Sequence, residues 1–204
     1  MRTPIVNLLL MLAAAVPASA EELALRLDPA RTIVAFTLQA TMHKVEGVLP
    51  VSSGEIHFDR ATGRASGQIV MDARRATTNS EGRDKKMHAE VLESGQYPTV
   101  VFTPGRIEVK EEGPDRGIVR LAGTLSIHGV DHALELVAAV RREDDRIVVD
   151  APLVIPYVAW GMHDPSAFVL RVAKQVDVTI HAVGILSSAG PAGAGAAAPT
   201  PGGA

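Results

Sequence analysis

Seven histidines are spread along this 204-residue chain, which has no cysteine. Histidine ligates metals and moves protons near neutral pH, so its neighbours decide what chemistry is open. His128 and His132 are four apart, a spacing that would align two rings for zinc if they lay on a helix. They instead straddle a hairpin signal, His128-Gly129-Val130-Asp131, and no third ligand stands with them, whereas zinc takes three or four. The pair reads as turn residues, and no metal site is assigned. His88 follows Asp84 by one helical turn, a spacing that suits an Asp–His pair. Hydrolysis would also need an activated Ser or Thr. Thr77, Thr78 and Ser80 are close in sequence, but no nucleophile-elbow pattern surrounds them. His43 closes an alternating segment, where it can bond backbone or touch the polar head of a ligand. An enzyme acting on an isoprenoid or small exported substrate through His43, His88 or His128 is therefore the rival reading, and no residue is assigned as catalytic.

Two further groups of side chains stand out. Arg83-Asp84-Lys85-Lys86-Met87-His88 is a charge-rich block, and Met87, Val91 and Leu92 recur in it and after it at helical spacing. A short helix over Ser80 to Ser94 is expected, packed across or beside a sheet. Arg83 and Asp84 read first as an ion pair pinning that helix. Arg83 facing an anionic head group, for which its planar fork is suited, is the lesser reading. Trp160 and Met162 lie in the Gly/Pro-bounded run Tyr157 to Pro165. They either cap a cavity and meet its ligand or plug one end of a core.

The elements that would position these residues are strands. Val34, Phe36, Leu38 and Ala40 alternate with polar or small residues, as do Ile56 and Phe58, Ile69 and Met71, and Leu121, Leu125 and Ile127. Leu134 and Leu136, Arg146 to Ile155, and Phe168 to Ala182 continue the pattern. Period-two alternation marks half-buried strands. Asp59 to Gly63, Glu111 to Asp115, Asp144-Asp145 and His128 to Asp131 supply the turns. About eight strands at hairpin spacing indicate a barrel or sandwich.

The two ends differ from the middle. Met1-Arg2, an apolar run from Ile5 to Val16 and Ala18-Ser19-Ala20 form a secretory signal peptide, residues 1–20, too short to span a bilayer. The protein is expected to be periplasmic or secreted, with no stable membrane insertion and no aromatic girdles of an outer-membrane barrel. Residues 187–204 are Ala, Gly, Pro, Ser and Thr, a composition that reads as a disordered tail. One domain, 21–186, lies between them. Residues 1–20 hold one Arg, so 19 basic against 23 acidic side chains leave a net charge of −4. Without a clustered positive footprint, nucleic acid is not a partner.

Such a barrel either fills its interior with side chains or holds one small ligand. Only seven aromatics are present, and the inward rows are otherwise aliphatic, with Gly123 among them, which leans towards a cavity. An apolar cargo of about thirty heavy atoms at ~0.3 kcal/mol each would gain about 9 kcal/mol, a sub-micromolar affinity. No cofactor is needed for that.

In order along the chain, several pieces carry a resemblance. They are Val34-Ala35-Phe36, His43-Lys44-Val45-Glu46-Gly47, Gly54 to Asp59, Arg83-Asp84 with Met87-His88, Tyr97-Pro98, and Gly123 to Val130. Taken together the chain resembles the YceI-like family of exported lipocalin-like barrels. The resemblance implies an all-β, eight-stranded antiparallel β-barrel with a short helical insertion and a long apolar pocket. It implies as ligand a polyisoprenoid or fatty-acid-like lipid, sequestered or transported, and no settled enzymatic activity. Leu49, where an aromatic is frequent, and the spacing of Arg83-Asp84 from His88 depart from the common pattern. The expected ligand-binding residues are Phe36, Leu38, His43, Ile56, Phe58, Leu121, Leu125, Leu134, Leu136, Trp160, Met162, Phe168 and Leu170, chosen by strand face and bulk.

Overall fold

Proline and alternation together set the path of the chain. The computed structural model describes residues 22–41, 43–166 and 171–188. The expected signal peptide, tail residues 189–204, and the proposed ligand contacts Phe168 and Leu170 lie outside the described residues. Ten strands form one antiparallel sheet: β1 (Glu22–Leu27), β2 (Ile33–Gln39), β3 (Lys44–Val48), β4 (Val51–Asp59), β5 (Ala65–Asp72), β6 (Thr99–Glu112), β7 (Arg116–Ile127), β8 (Val130–Glu143), β9 (Arg146–Ile155) and β10 (Val176–Ser188). β1 and β2 pair successive stretches of the same side of β10, with Leu27 opposite Gly184 and Ile33 opposite His181. They are one stave interrupted at Asp28 to Thr32, where Pro29 has no N–H to give to a ladder. β3 and β4 are likewise one stave, broken at Leu49-Pro50, and pair with β2 and β1. The ring is thus a closed eight-stranded antiparallel barrel, sealed by β1 against β10. Closure satisfies sheet edges that would otherwise be left open.

The two ends of the barrel are unlike. At one end the links are tight: Arg60–Arg64, Gly113–Asp115 and Asp144-Asp145. Asp59 makes the first of these turns by accepting from the backbone N–H of Ala61 (2.8 Å) and Thr62 (3.1 Å). At the other end lie the β2–β3 turn, the β5–β6 connection and the β9–β10 connection, and a two-residue turn between β7 and β8. In that turn His128 and Gly129 have φ of 52° and 74°. Positive φ at both positions is the hairpin geometry that follows strand twist. The β5–β6 connection holds the expected helix, α1 (Glu81–Lys86), which widens into one π turn over Met87–Val91.

β10 differs from expectation at both its limits. It begins at Val176, because residues 171–175 run irregularly with a single bridge from Val172 to Ala40. It ends at Ser188, since Ser187 and Ser188 pair with Ala24 and Leu23 of β1, so the sheet continues two residues into the stretch that composition assigns to the tail.

Candidate functional site

Inside the barrel is a cavity of about 390 Å³ that extends to the end carrying α1. Alternation builds its wall. From the first stave come Val34, Phe36, Leu38 and Ala40, and from β10 come Val176, Val178, Ile180 and Ala182. Ile56 of β4, Leu121 and Leu125 of β7, and Leu134 and Leu136 of β8 complete the middle. The helix closes over this ring with Met87, Val91 and Leu92, the three residues at helical spacing. Phe36 reaches its position because Gly47 of β3 has no side chain: a Cβ there would meet the Phe36 ring at 2.2 Å.

Three polar side chains in the wall are already hydrogen-bonded. Thr32 Oγ1 accepts from Val183 N at 3.3 Å, and Tyr157 Oη donates to Ala173 O at 2.9 Å. Burial, with the Asp164 charge adding to it, pushes the Tyr157 phenol up to about 12, so it stays a neutral donor. Thr78 is held from the helix side, by Asp84 and Arg83. An apolar chain entering here therefore strands no protein donor or acceptor of these three residues.

Arg83 and Asp84 do not form the expected ion pair with each other; each grips the Thr77-Thr78 segment. Asp84 accepts from Thr77 Oγ1 (2.6 Å), Thr78 N (2.7 Å) and Thr78 Oγ1 (2.5 Å). Arg83 donates from Nε to Thr78 Oγ1 and from Nη2 to Thr78 O, both at 3.0 Å. Burial pushes the Asp84 carboxyl up, but the hydrogen bonds from Thr77 and Thr78 outweigh it and hold the group below its ordinary 3.8. A fixed network of two charged side chains thus ties α1 to the loop that follows β5.

The other expected site residues fall into three groups. His43 sits on the rim, beside Val45, as part of the wall, and Met162, 4 % exposed, seals the wall from the β9–β10 connection. Phe58 shares the face of Ile56 but lies further towards the tight-turn end, opposite Leu23, and is not part of the wall. Trp160 also lies outside the wall: its ring stacks on His132, with centroids 4.0 Å apart and planes 5° from parallel.

The remaining histidines have local partners. His88, whose spacing suits a pair with Asp84, has its Nδ1 2.9 Å from Ser94 Oγ, and Ser94 is 5 % exposed and outside the cavity wall. His128 Nε2 meets Glu93 Oε2 at 2.5 Å, and Tyr97 packs against its ring. Among the described residues no group of three His, Cys, Asp or Glu could hold a metal ion.

Lys86 is the rim residue that sequence reasoning did not single out. Its helical spacing from Arg83, three residues on, was the available signal.

The ordered pieces and the closed ring find a counterpart among known proteins. The YceI-like domain model matches residues 25–184. The chain belongs to the YceI-like family. No curated protein matches it. The YceI-like barrel is similar to the solved structure of Burkholderia cenocepacia BcnA, at 18% identity and a TM-score of 0.63, over 77% of this chain and 98% of that one. It is similar also to a polyisoprenoid binding domain from Saccharophagus degradans implicated in plant cell wall breakdown, at 18% identity and a TM-score of 0.64, over 81% and 98%. A Campylobacter jejuni YceI protein matches at 17% identity and a TM-score of 0.55, over 74% and 88%. At these identities the likeness is one of fold. No helix among the described residues is long and apolar enough to cross a membrane.

Proposed function

We propose that this YceI-like protein is an exported carrier that sequesters or transports a long apolar molecule, of polyisoprenoid type, in the barrel interior. The observation that carries the reading is the hollow, apolar cavity, whose wall is built by all eight staves and a helix. Each methylene moved into such a space from water gains about 0.8 kcal/mol. The polyisoprenoid binding described for the Saccharophagus degradans domain supports the ligand class. The signal-like residues 1–20 support export to the periplasm or beyond.

Size refines the reading. Pockets of about 300–1,000 Å³ enclose most of a drug-sized ligand, and this cavity of about 390 Å³ is near the lower end. Along β10 the wall runs from Val176 to Ala182, six residue steps or roughly 20 Å. A longer polyisoprenoid keeps its surplus length outside the mouth.

Extraction of the purified protein with organic solvent, followed by mass spectrometry, tests this. A stoichiometric lipid is expected. Protein that yields none and also fails to take up added long-chain isoprenoids is no carrier.

A further inference from the structure

We infer that the free edge of β3 pairs with the same edge of a second copy of this chain, giving a two-fold dimer whose sheet runs from one barrel into the other. The stave made of β3 and β4 is paired on both sides along β4, but along β3 only β2 forms a ladder with it. Main-chain direction alternates along this stave. Leu49 N donates to Val34 O at 2.8 Å and Ala40 N donates to His43 O at 3.0 Å, so the odd-numbered residues face β2. Val48 faces the other way and exchanges both of its bonds with Thr77, at 2.9 and 3.0 Å. Lys44 and Glu46 share that outward direction. The next rung beyond Thr77 would set Asn79 against Glu46, and it does not form. Asn79 has a φ of 58° and gives its N–H to Thr77 Oγ1 at 3.1 Å, which turns the chain off the edge and into α1. Among the described residues, nothing pairs with the main chain of Lys44 or Glu46 on this side.

An open edge is a template for another strand. The side chains say which strand fits. Val45 lies in the cavity wall, so Lys44 and Glu46 point away from the barrel, and both are exposed. Among the described residues neither has an ionic partner. A lysine alone on an edge keeps copies apart. A lysine and a glutamate two positions apart do the reverse when a two-fold axis passes beside Val45. Antiparallel pairing then sets Lys44 opposite Glu46 of the second copy, and Glu46 opposite its Lys44. Opposed residues whose main chains face each other exchange both N–H and C=O bonds. Their Cβ atoms stand about 5 Å apart, close enough for an ion pair on each rung. The edge is thus complementary to itself in donors, acceptors and charge, as an isologous contact requires. Thr77 bounds it at one end and the β2–β3 turn at the other, so the contact is small.

Sedimentation velocity of the purified protein over a range of concentrations tests this. A reversible dimer is expected, with a midpoint on the order of tens of micromolar, as the small end of specific interfaces gives. Glu46→Lys opposes like charges on both rungs and should weaken association about tenfold or more, and Lys44→Glu should do the same. An equimolar mixture of the two variants should restore wild-type association, because every rung again joins a lysine to a glutamate. That recovery also shows that both variants fold. Glu46→Pro removes an N–H that the chain's own ladder does not use, and it should weaken association about fivefold beyond Glu46→Gln. A monomer at every concentration leaves the edge to an extended peptide of another protein and overturns the inference. A dimer that these substitutions leave unchanged uses another surface and overturns it too. So does loss in the two charge variants without recovery in their mixture.

Discussion

Thr78 and Asp84 are joined twice, with the Asp84 carboxylate accepting from both the backbone N–H (2.7 Å) and the hydroxyl (2.5 Å) of Thr78. Thr77 adds a third donor at 2.6 Å. These bonds hold the start of α1 over the cavity, and no residue of α1 is fully buried. Asp84→Asn replaces a charged acceptor with a group half of which is a donor. A loss of about 1–3 kcal/mol is expected, read as a lower midpoint in denaturant with an unchanged slope. Local hydrogen exchange over residues 81–94 should rise more than in the strands.

The same carboxylate sets an acid response. Its folded pKa lies below the ordinary 3.8, so the unfolded chain binds its proton first as pH falls. The stabilisation is fully present above the unfolded value and is lost as pH drops through the folded one, in the window from about pH 4 downwards. Stability of the wild type should therefore fall over that window more steeply than that of Asp84→Asn. Equilibrium unfolding at a series of acid pH values measures the difference, and parallel curves would assign the acid response to other carboxylates.

Much of this architecture is legible in residue order, and the reason is local. Strand faces follow from parity, which is why Leu121, Leu125, Leu134 and Leu136 stand in the cavity wall as alternation predicts. Position along the barrel axis does not follow from parity, because tilt and stagger between strands set it. Phe58 shows the difference: it lies on the face of Ile56 yet is beyond the cavity. The partners of Arg83 and Asp84 were hidden for another reason. Thr77 and Thr78 come within reach only because Thr77 bridges to Val48 and aims the loop back at the helix. The stacking of Trp160 on His132, 28 positions apart, is likewise a product of closure.

Gly129 is required where it stands. Its φ is 74°, and a Cβ would meet Tyr97 Cε1 at 2.5 Å. Tyr97 in turn packs on His128, whose Nε2 meets Glu93 at the end of the π turn. Gly129→Ala therefore combines backbone strain with displacement of the ring that supports this clasp. The expected cost is about 1–3 kcal/mol, seen as a lowered thermal midpoint. Tyr97→Ala in the same background should return only the steric part of that cost, since the left-handed backbone remains. Full recovery would mean that the turn carries no strain.

Ala182 offers a way to shorten the cavity without touching its mouth. It lies in the wall on β10, six residues from Val176 at the helix-covered end, and is 6% exposed. Ala182→Leu adds three carbons directed into open space, so overpacking strain is limited to its buried flank. A ligand long enough to reach this depth loses up to three methylenes of burial, about 2 kcal/mol or some thirtyfold in affinity. A shorter ligand that stops near Ile180 should bind as before. Titration with a series of prenyl alcohols of increasing length reads this directly: the variant's affinity should stop rising at a shorter chain than the wild type's. No loss for short and long chains alike would mean that ligands lie across the mouth instead of along the axis.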